Sequence, residues 1–355
     1  MAPPYDLPGD LQRRTLGVSW KTIGQPGGTQ PSPEENQAAL MDVCYTATSL
    51  ANDELNQDVR SSLVTEELYA PSHWAAIMSN GMGRLLVAFN PVVDVPFMAV
   101  SAAAVPYPKT WTVLPPGSAW SERRPVGIYG VANPSGVSGG MNSILVAGNR
   151  LTGQMGRAGQ QIAFCYSHGW PHAVLTEAAD VDDVTLAVDE VCGFTGAAAI
   201  ISDGANTETV QVSSVTLPTP SAYNPALMYF PGNFVTYGGT TYQATMITGP
   251  FAPSGSQQPG SGPYWATTLY PVGPGTLSLV APLTKAHAVL PVLVTSMVGG
   301  VRWGMALYAK AVALERGLAT LAAPGKEGKS VSTAEGIEDA TVKAVAALRP
   351  FARIV

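Results

Sequence analysis

The sequence predicts an α+β fold: a helical core from N-terminal and C-terminal helices, a long β-rich middle region, and a small inserted β module. Three observations predict it. Helix-start signals followed by apolar residues at three- and four-residue spacing occur at the two ends of the chain. Between them lie short β-branched runs bounded by Gly, Pro and Ser. Within that middle, Thr209 to Thr284 contains no Asp, Glu, Lys or Arg, yet it gathers Tyr223, Tyr229, Phe230, Phe234, Tyr237, Tyr242, Tyr264, Trp265 and Tyr270. Four segments follow: 1–110 with an early helix and the first strands, 111–220 rich in strands, 221–270 as the insert, and 271–355 with the last helices and a tail.

Ser32-Pro33-Glu34-Glu35 opens the first helix as a capping box with proline at its first position. Leu40, Cys44, Ala47, Ala51 and Leu55 then share one face, which predicts a helix over 33–59. The run 85–100 is apolar and β-branched, and its two prolines confine it to edge or bulged strands. VGIYGVA, SILVAGNRL and QIAFCYS read as strands, and VTLAVDEVCGF, AAAIISDG and ETVQVSSVTL as a meander turning near Gly204. Gly238-Gly239 supplies the positive φ angles of a tight hairpin over 233–244. Pro291 opens a helix whose Val294, Val298, Val301, Met305, Tyr308 and Val312 share a face, with Gly317 as its stop. In it, Gly299, Gly300 and Gly304 leave room for another backbone. Ser332-x-x-Glu335 starts a last helix that Pro350 ends.

Composition excludes several classes. Charged residues make up 12% of the 355, about half the roughly 25% of a soluble domain. A net charge of −6 argues against a nucleic-acid binder with a basic face, because phosphate neutralisation supplies most non-specific affinity. The 46% hydrophobic content argues against a disordered chain. No run of 18 apolar residues suggests a membrane helix, and MAPPYDLPGDLQRR lacks the basic-then-apolar order of a secretory signal. Cys44, Cys165 and Cys192 are too few and too scattered for a disulfide framework or a Cys-x-x-Cys metal site.

Chemical motifs are sparse. Gly328-Lys329-Ser330 ends like a P-loop, but Ala323 stands where its first glycine belongs. No G-x-S-x-G occurs. Asp180, Asp182, Asp183, Asp189 and Glu190 lack the alternation of a calcium loop and read as acids solvating a turn. His168 and His172 are four apart, but Gly169 and Pro171 break the helix that would align them. No metal, cofactor or enzymatic activity is expected. A span without charge is rare on a solvent-facing surface, so 209–284 is covered by neighbours or meets a neutral ligand. Its aromatics serve either as the core of a small module or as planes for sugar rings.

MYFPGNFVTYGGTTYQAT followed by Trp265 resembles small chitin- and cellulose-type carbohydrate-binding modules. Tyr229, Gly232, Val235, Tyr237, Gly239, Tyr242 and Ala244 match the family pattern; Asn233 replaces its Asp, and its opening tryptophan is missing. The resemblance implies glycan stacking by Tyr237, Tyr242 and Trp265.

A second resemblance spans more of the chain. VDDVTLAVDEVCGF, ISDGANTETVQVSSV, GTLSLVAPLTKAHAVLPVLV, ALYAKAVALERG and ALRPFARIV, in that order, look like head-to-tail adaptor or connector proteins of tailed bacteriophages. The implied protein is a virion component of the phage neck, assembled in the bacterial cytoplasm. It would form a homo-oligomeric ring under the portal, contact tail or head-completion proteins, let DNA pass, and involve no membrane. Low charge suits a surface that is mostly interface, and an acidic balance suits a channel that does not hold phosphate. Trp303, Tyr308, Arg316, Arg349, Phe351 and Arg353 are the candidate interface residues, the last three on a basic-aromatic tail that docks on a partner or packs on its own subunit. The alternative is a tail or capsid-decorating protein that binds host-surface glycan. A polysaccharide hydrolase would need a pair of carboxylates about 5–10 Å apart, and the sequence offers no convincing pair.

Overall fold

A computed structural model describes residues 4–15, 18–20, 32–69, 74–77, 83–86, 92–101, 111–113, 119–121, 143–146, 161–267, 270–287, 291–318, 320–321 and 333–351. The chain begins with α1 (Pro8–Arg14), β1 (Val18–Ser19) and α2 (Pro33–Leu55). Eight strands follow: β2 (Ser62–Tyr69), β3 (Trp74–Ile77), β4 (Gly83–Leu86), β5 (Val92–Ser101), β6 (Trp111–Val113), β7 (Ala119–Ser121), β8 (Ser143–Val146) and β9 (Gln161–His168). Next come β10 (His172–Val174), β11 (Thr185–Val188), β12 (Ala198–Ser202) and β13 (Thr207–Thr216). The insert carries β14 (Ser221–Ala222), β15 (Phe234–Tyr237), β16 (Thr240–Ala244) and β17 (Trp265–Ala266). The chain continues through β18 (Gly275–Leu279), β19 (Leu293–Thr295), α3 (Gly299–Glu315), β20 (Thr320–Leu321) and α4 (Thr333–Leu348) to a 3₁₀ turn, Arg349–Phe351.

The helical-core expectation is corrected. Among the described residues the fold is mostly β, with twenty strands in five sheets against four α-helices. Helices from both ends do pack together, but two further apolar clusters among the described residues contain no α-helical residue. The physical reason is that the β runs close cores of their own instead of draping over the helices.

In the helical layer, the Ser32 N–H donates to Glu35 Oε2 at 2.7 Å and the Glu35 N–H donates to Ser32 Oγ at 3.1 Å, the reciprocal capping box. α2 ends at Asn56 in the left-handed region, φ 52°. Its Cys44, Ala47, Ala51 and Leu55 are buried against Val301, Met305, Tyr308 and Val312 of α3. Gly317, φ +71°, stops α3, with the Leu318 N–H donating to Ala313 O. α3 begins at Gly299 and not at Pro291, because Leu293–Thr295 pairs with β10 and β12 instead of winding into a helix. At Gly304 a Cβ would stand 2.6 Å from Leu348 Cγ, so the missing side chain is what lets α4 seat.

The barrel is the second layer. Six strands in the order β10-β19-β12-β13-β18-β11 form one antiparallel sheet. Its two edge strands meet, since the Thr176 N–H donates to Ala187 O at 3.0 Å and the Asp189 N–H to Val174 O at 3.1 Å. Alternate residues fill the interior: Ala199 and Ile201, Val210 and Val212, Leu277 and Leu279, Val292 and Val294. Gly204 at φ +86° turns β12 into β13, as the meander predicted. The Leu283-Thr284-x-x-His287 turn is tied down by Glu208, which accepts from the Thr284 N–H and Oγ1, the Lys285 N–H and His287 Nε2.

The third layer is the sheet β2-β9-β5-β6, beside a small sheet β3-β4-β8-β7. β5 has a partner on each side, and its register shifts between Asp94 and Phe97, so Pro96 lies in a bulge. This sheet takes strands from both sides of residue 110.

A buried N-terminal segment joins the layers. The Tyr5 hydroxyl donates to Asn52 Oδ1 or Asp58 Oδ1 and accepts from the Val59 N–H. Arg302 of α3 pairs with Asp6 at 3.1 Å, both side chains buried. Asp10 accepts from Arg13 and from Ser202 of β12. His172 Nε2 donates to the Pro4 carbonyl, and complete burial pushes its pKa down from 6.5 to about 3.

Close packing at Gly304 and burial of His172 each have a measurable consequence. Gly304→Val, which forces a side chain into Leu348, lowers unfolding stability by about 1–3 kcal/mol, read as a lower urea midpoint. The histidine sets a response to acid. Unfolded histidine takes its proton near pH 6.5 and folded His172 only near 3, so between those values the unfolded chain binds more protons and stability falls with pH. From pH 6 to pH 4 the wild type loses about 2–3 kcal/mol more than His172→Gln, which keeps a donor for Pro4. Urea titrations at both pH values measure the difference.

Candidate interaction surface

The insert 221–270 leaves the barrel after β13 and returns to β18, two strands that pair with each other. Gly238 at φ 57° and Gly239 at φ 78° make the two-residue turn between β15 and β16. β14 pairs parallel to β15, and β17 closes the small sheet on β16.

The insert does not stand apart from the rest of the chain. It is instead docked: Tyr229, Val235, Ala244, Met246, Tyr264 and Trp265 share one apolar cluster with Phe97 and Ala99 of β5 and Ala163 and Cys165 of β9. Thr65 of β2 donates its hydroxyl to the Thr245 carbonyl. Buried Gln243 ties down the segment leaving the insert, since its Nε2 donates to Tyr270 O and its Oε1 accepts the Tyr270 N–H, each at 2.7 Å. That is a side chain imitating one rung of a β ladder.

The candidate sugar-stacking residues divide. Trp265 is 5% exposed, its indole N–H donates to Gln257 O at 2.7 Å, and Tyr223 and Tyr229 pack edge-on to it. Its faces are therefore spent on the core. Tyr242 is half-buried and packs against the same cluster. Tyr237 is 39% exposed, with its ring edge-on to Tyr223 and its hydroxyl accepting from Gln258.

The candidate interface residues divide too. Trp303 is 46% exposed on α3. Tyr308 is 7% exposed and belongs to the helical core, so it offers no surface. Arg316 is exposed and pairs with Asp42 of α2, with a further hydrogen bond to Thr46. Arg349 is exposed. Phe351 packs edge-on to Trp170 at 5.5 Å and lies against Gly300, so at this point the tail packs on its own subunit. Arg353 and the Gly328-Lys329-Ser330 segment lie outside the described residues.

The sequence reading missed a feature of the charge-free span. Leu227, Phe230, Ile247 and Phe251 are all exposed, and Phe251 is 87% exposed. The loop that carries it is tightly closed: Gly249 N–H donates to Gly255 O, Ala252 N–H to Gly249 O, and Gly255 N–H to Ala252 O. Phe230, Ile247 and Pro253 also line an open cavity of about 320 Å³, together with Leu63, Met246 and Tyr264. The available signal was a phenylalanine between Gly249-Pro250 and Pro253, since a large apolar residue inside a tight turn cannot reach the core.

A second cleft, about 470 Å³, lies where the insert joins the barrel. Ser62, Asn233, Phe234, Gly273 and Glu190 line it. Glu190 accepts the N–H of Cys192 and of Gly273, and burial holds its carboxyl above the usual range despite those bonds. Ser62 Oγ lies 2.9 Å from His168 Nε2 across the β2–β9 pair.

The three cysteines are free and buried, and burial raises each thiol, Cys165 to about 12. They are therefore thiols, not thiolates, at neutral pH. The acids of 180–183 form a turn in which the Asp180 N–H donates to Asp183 Oδ2. Among the described residues no cluster of three or more His, Cys, Asp or Glu side chains could hold a metal ion, and no helix is long and apolar enough to cross a membrane.

No protein-family model, curated protein or solved structure matches the chain.

The division among the aromatics gives a direct test. Trp265→Ala lowers stability by about 3–5 kcal/mol, the range for a large core aromatic, whereas Tyr237→Ala changes it by less than about 1 kcal/mol. Thermal and urea unfolding of the two full-length variants distinguish them.

Proposed function

We propose that the chain is a virion structural protein of a tailed bacteriophage, the head-to-tail adaptor that forms a ring beneath the portal and connects capsid to tail. Its surfaces are built to be covered by neighbours. The observation that carries this reading is the combination of a span without charge and large apolar side chains left in solvent on it, Leu227, Phe230, Ile247 and Phe251. Interface cores are depleted in charge and rich in aromatics, and a monomer gains nothing from exposing such a patch. The resemblance of the order of its motifs to those of phage adaptors supports the same reading. The ring contacts then lie on β surfaces and on the outer side of α3 around Trp303, with DNA passing through the assembled ring.

The experiment is a native mass measurement of the full-length chain, alone and mixed with portal protein. The expected result is a ring of defined copy number, formed by the chain itself or on portal contact. A chain that stays monomeric under both conditions overturns the reading.

Glycan binding by a tail or capsid decoration is the second reading, and the exposed Tyr237 is what favours it. Because the insert shares its core with β5 and β9, its test uses the whole chain. Retention on chitin that Tyr237→Ala abolishes, with unfolding unchanged, would favour it.

A further inference from the structure

The apolar surface of the insert has two parts of opposite shape. One is a knob: Phe251, almost wholly in solvent, on a loop held closed by backbone hydrogen bonds between Gly249, Ala252 and Gly255 and stiffened by Pro250 and Pro253. The other is a hole: the cavity of about 320 Å³ lined by Leu63, Phe230, Met246, Ile247 and Tyr264, whose rim includes Pro253 and Ser254 of that same loop. Phe251 does not fill its own cavity, because the loop closes on itself and keeps the ring in solvent.

We propose that this surface binds a second copy of the chain, with Phe251 of each copy seated in the other's cavity. The proposal rests on the reading of the chain as an assembly subunit and names the contact surface. Three properties identify the occupant. The knob stands beside the hole, so one two-fold rotation seats both rings at once; a head-to-tail contact would need the two features on separate faces. The insert's share of the surface carries no charge anywhere between Thr209 and Thr284, and the β2 residues that complete the cavity, Leu63, Val64 and Thr65, are uncharged too, so the ring is seated without stripping water from ions in the cavity lining. Such an uncharged lining is unsuited to a strongly charged partner. Finally, the loop is already held in one shape, so little conformational freedom is lost on pairing. Pairing of this kind links copies in addition to side-to-side ring contacts.

The test is sedimentation velocity of the full-length chain over a range of concentrations, with three samples beside the wild type: Phe251→Lys, Ile247→Glu and their mixture. Both substitutions change exposed side chains, and circular dichroism checks that both variants remain folded. Expected are a concentration-dependent pair for the wild type and at least a tenfold loss of self-affinity for each variant alone. Mixing the two variants restores pairing, because the lysine introduced on the knob of one copy then faces the glutamate introduced in the cavity of the other.

A wild-type chain that never self-associates, or association that neither variant weakens, overturns the proposal. If neither variant loses self-affinity while the chain still builds the ring on portal protein, the contact fails and the adaptor reading survives. If no sample assembles under any condition, both fail. Portal binding by a chain that is otherwise monomeric, lost in Phe251→Lys, would replace the second copy with the portal as occupant.

Discussion

The insert has half of a hydrophobic core. Tyr229, Val235, Met246, Tyr264 and Trp265 are buried only because Phe97, Ala99, Ala163 and Cys165 supply the floor beneath them. A segment of about 50 residues buries too small a fraction of its surface to be secure alone. Sharing a core with β5 and β9 resolves that, and it also fixes the direction in which the segment faces. Its aromatics turn inward, and the large apolar groups left outside, Phe251 foremost, are held in one orientation relative to the rest of the molecule.

The other layers are joined by polar groups. Asp6 and Arg302 are both buried, and burial outweighs Arg302 and Arg14 in setting the Asp6 carboxyl above its ordinary range. Removing one partner of such a pair costs far more than the pair contributes, because the other charge stays buried. Tyr5 adds hydrogen bonds to α2 and to the chain beyond it, while Asp10 reaches Ser202 of the barrel. A helical layer and a barrel with separate apolar cores are thus held together by a short segment near the beginning of the chain. At Gly9 a Cβ would fall 1.9 Å from Gly204 O, which shows how closely that segment approaches the barrel turn.

Local features were legible in the sequence. The capping box at Ser32, the Gly238-Gly239 turn, the stop at Gly317, the Gly204 turn and the bulge around Pro96 all depend on neighbours within a few residues. Non-local pairing was not legible. Val294 fits a helical face by spacing, yet Val292 and Val294 alternate into a barrel in which β19 pairs with β10 and β12, more than 80 positions earlier. Closure of β10 on β11 leaves no local mark, and that is why a helical core was expected where sheets dominate. The candidate site was half legible. Aromatic content located the insert, but which rings face inward depends on a sheet built from distant strands, so the reading left core and sugar stacking open for Trp265, which is buried.

Hydrogen exchange of the full-length chain at amide resolution tests most directly whether the insert and the sheet beneath it are one unit. The shared core predicts that the slowest amides of β15 and β16 exchange with the same opening free energy as those of β5 and β9 and lose protection together in mild denaturant. Exchange in β15 and β16 that runs several kcal/mol ahead of β5 and β9 would contradict it, leaving a loosely tethered insert that could not present Phe251 in one fixed place.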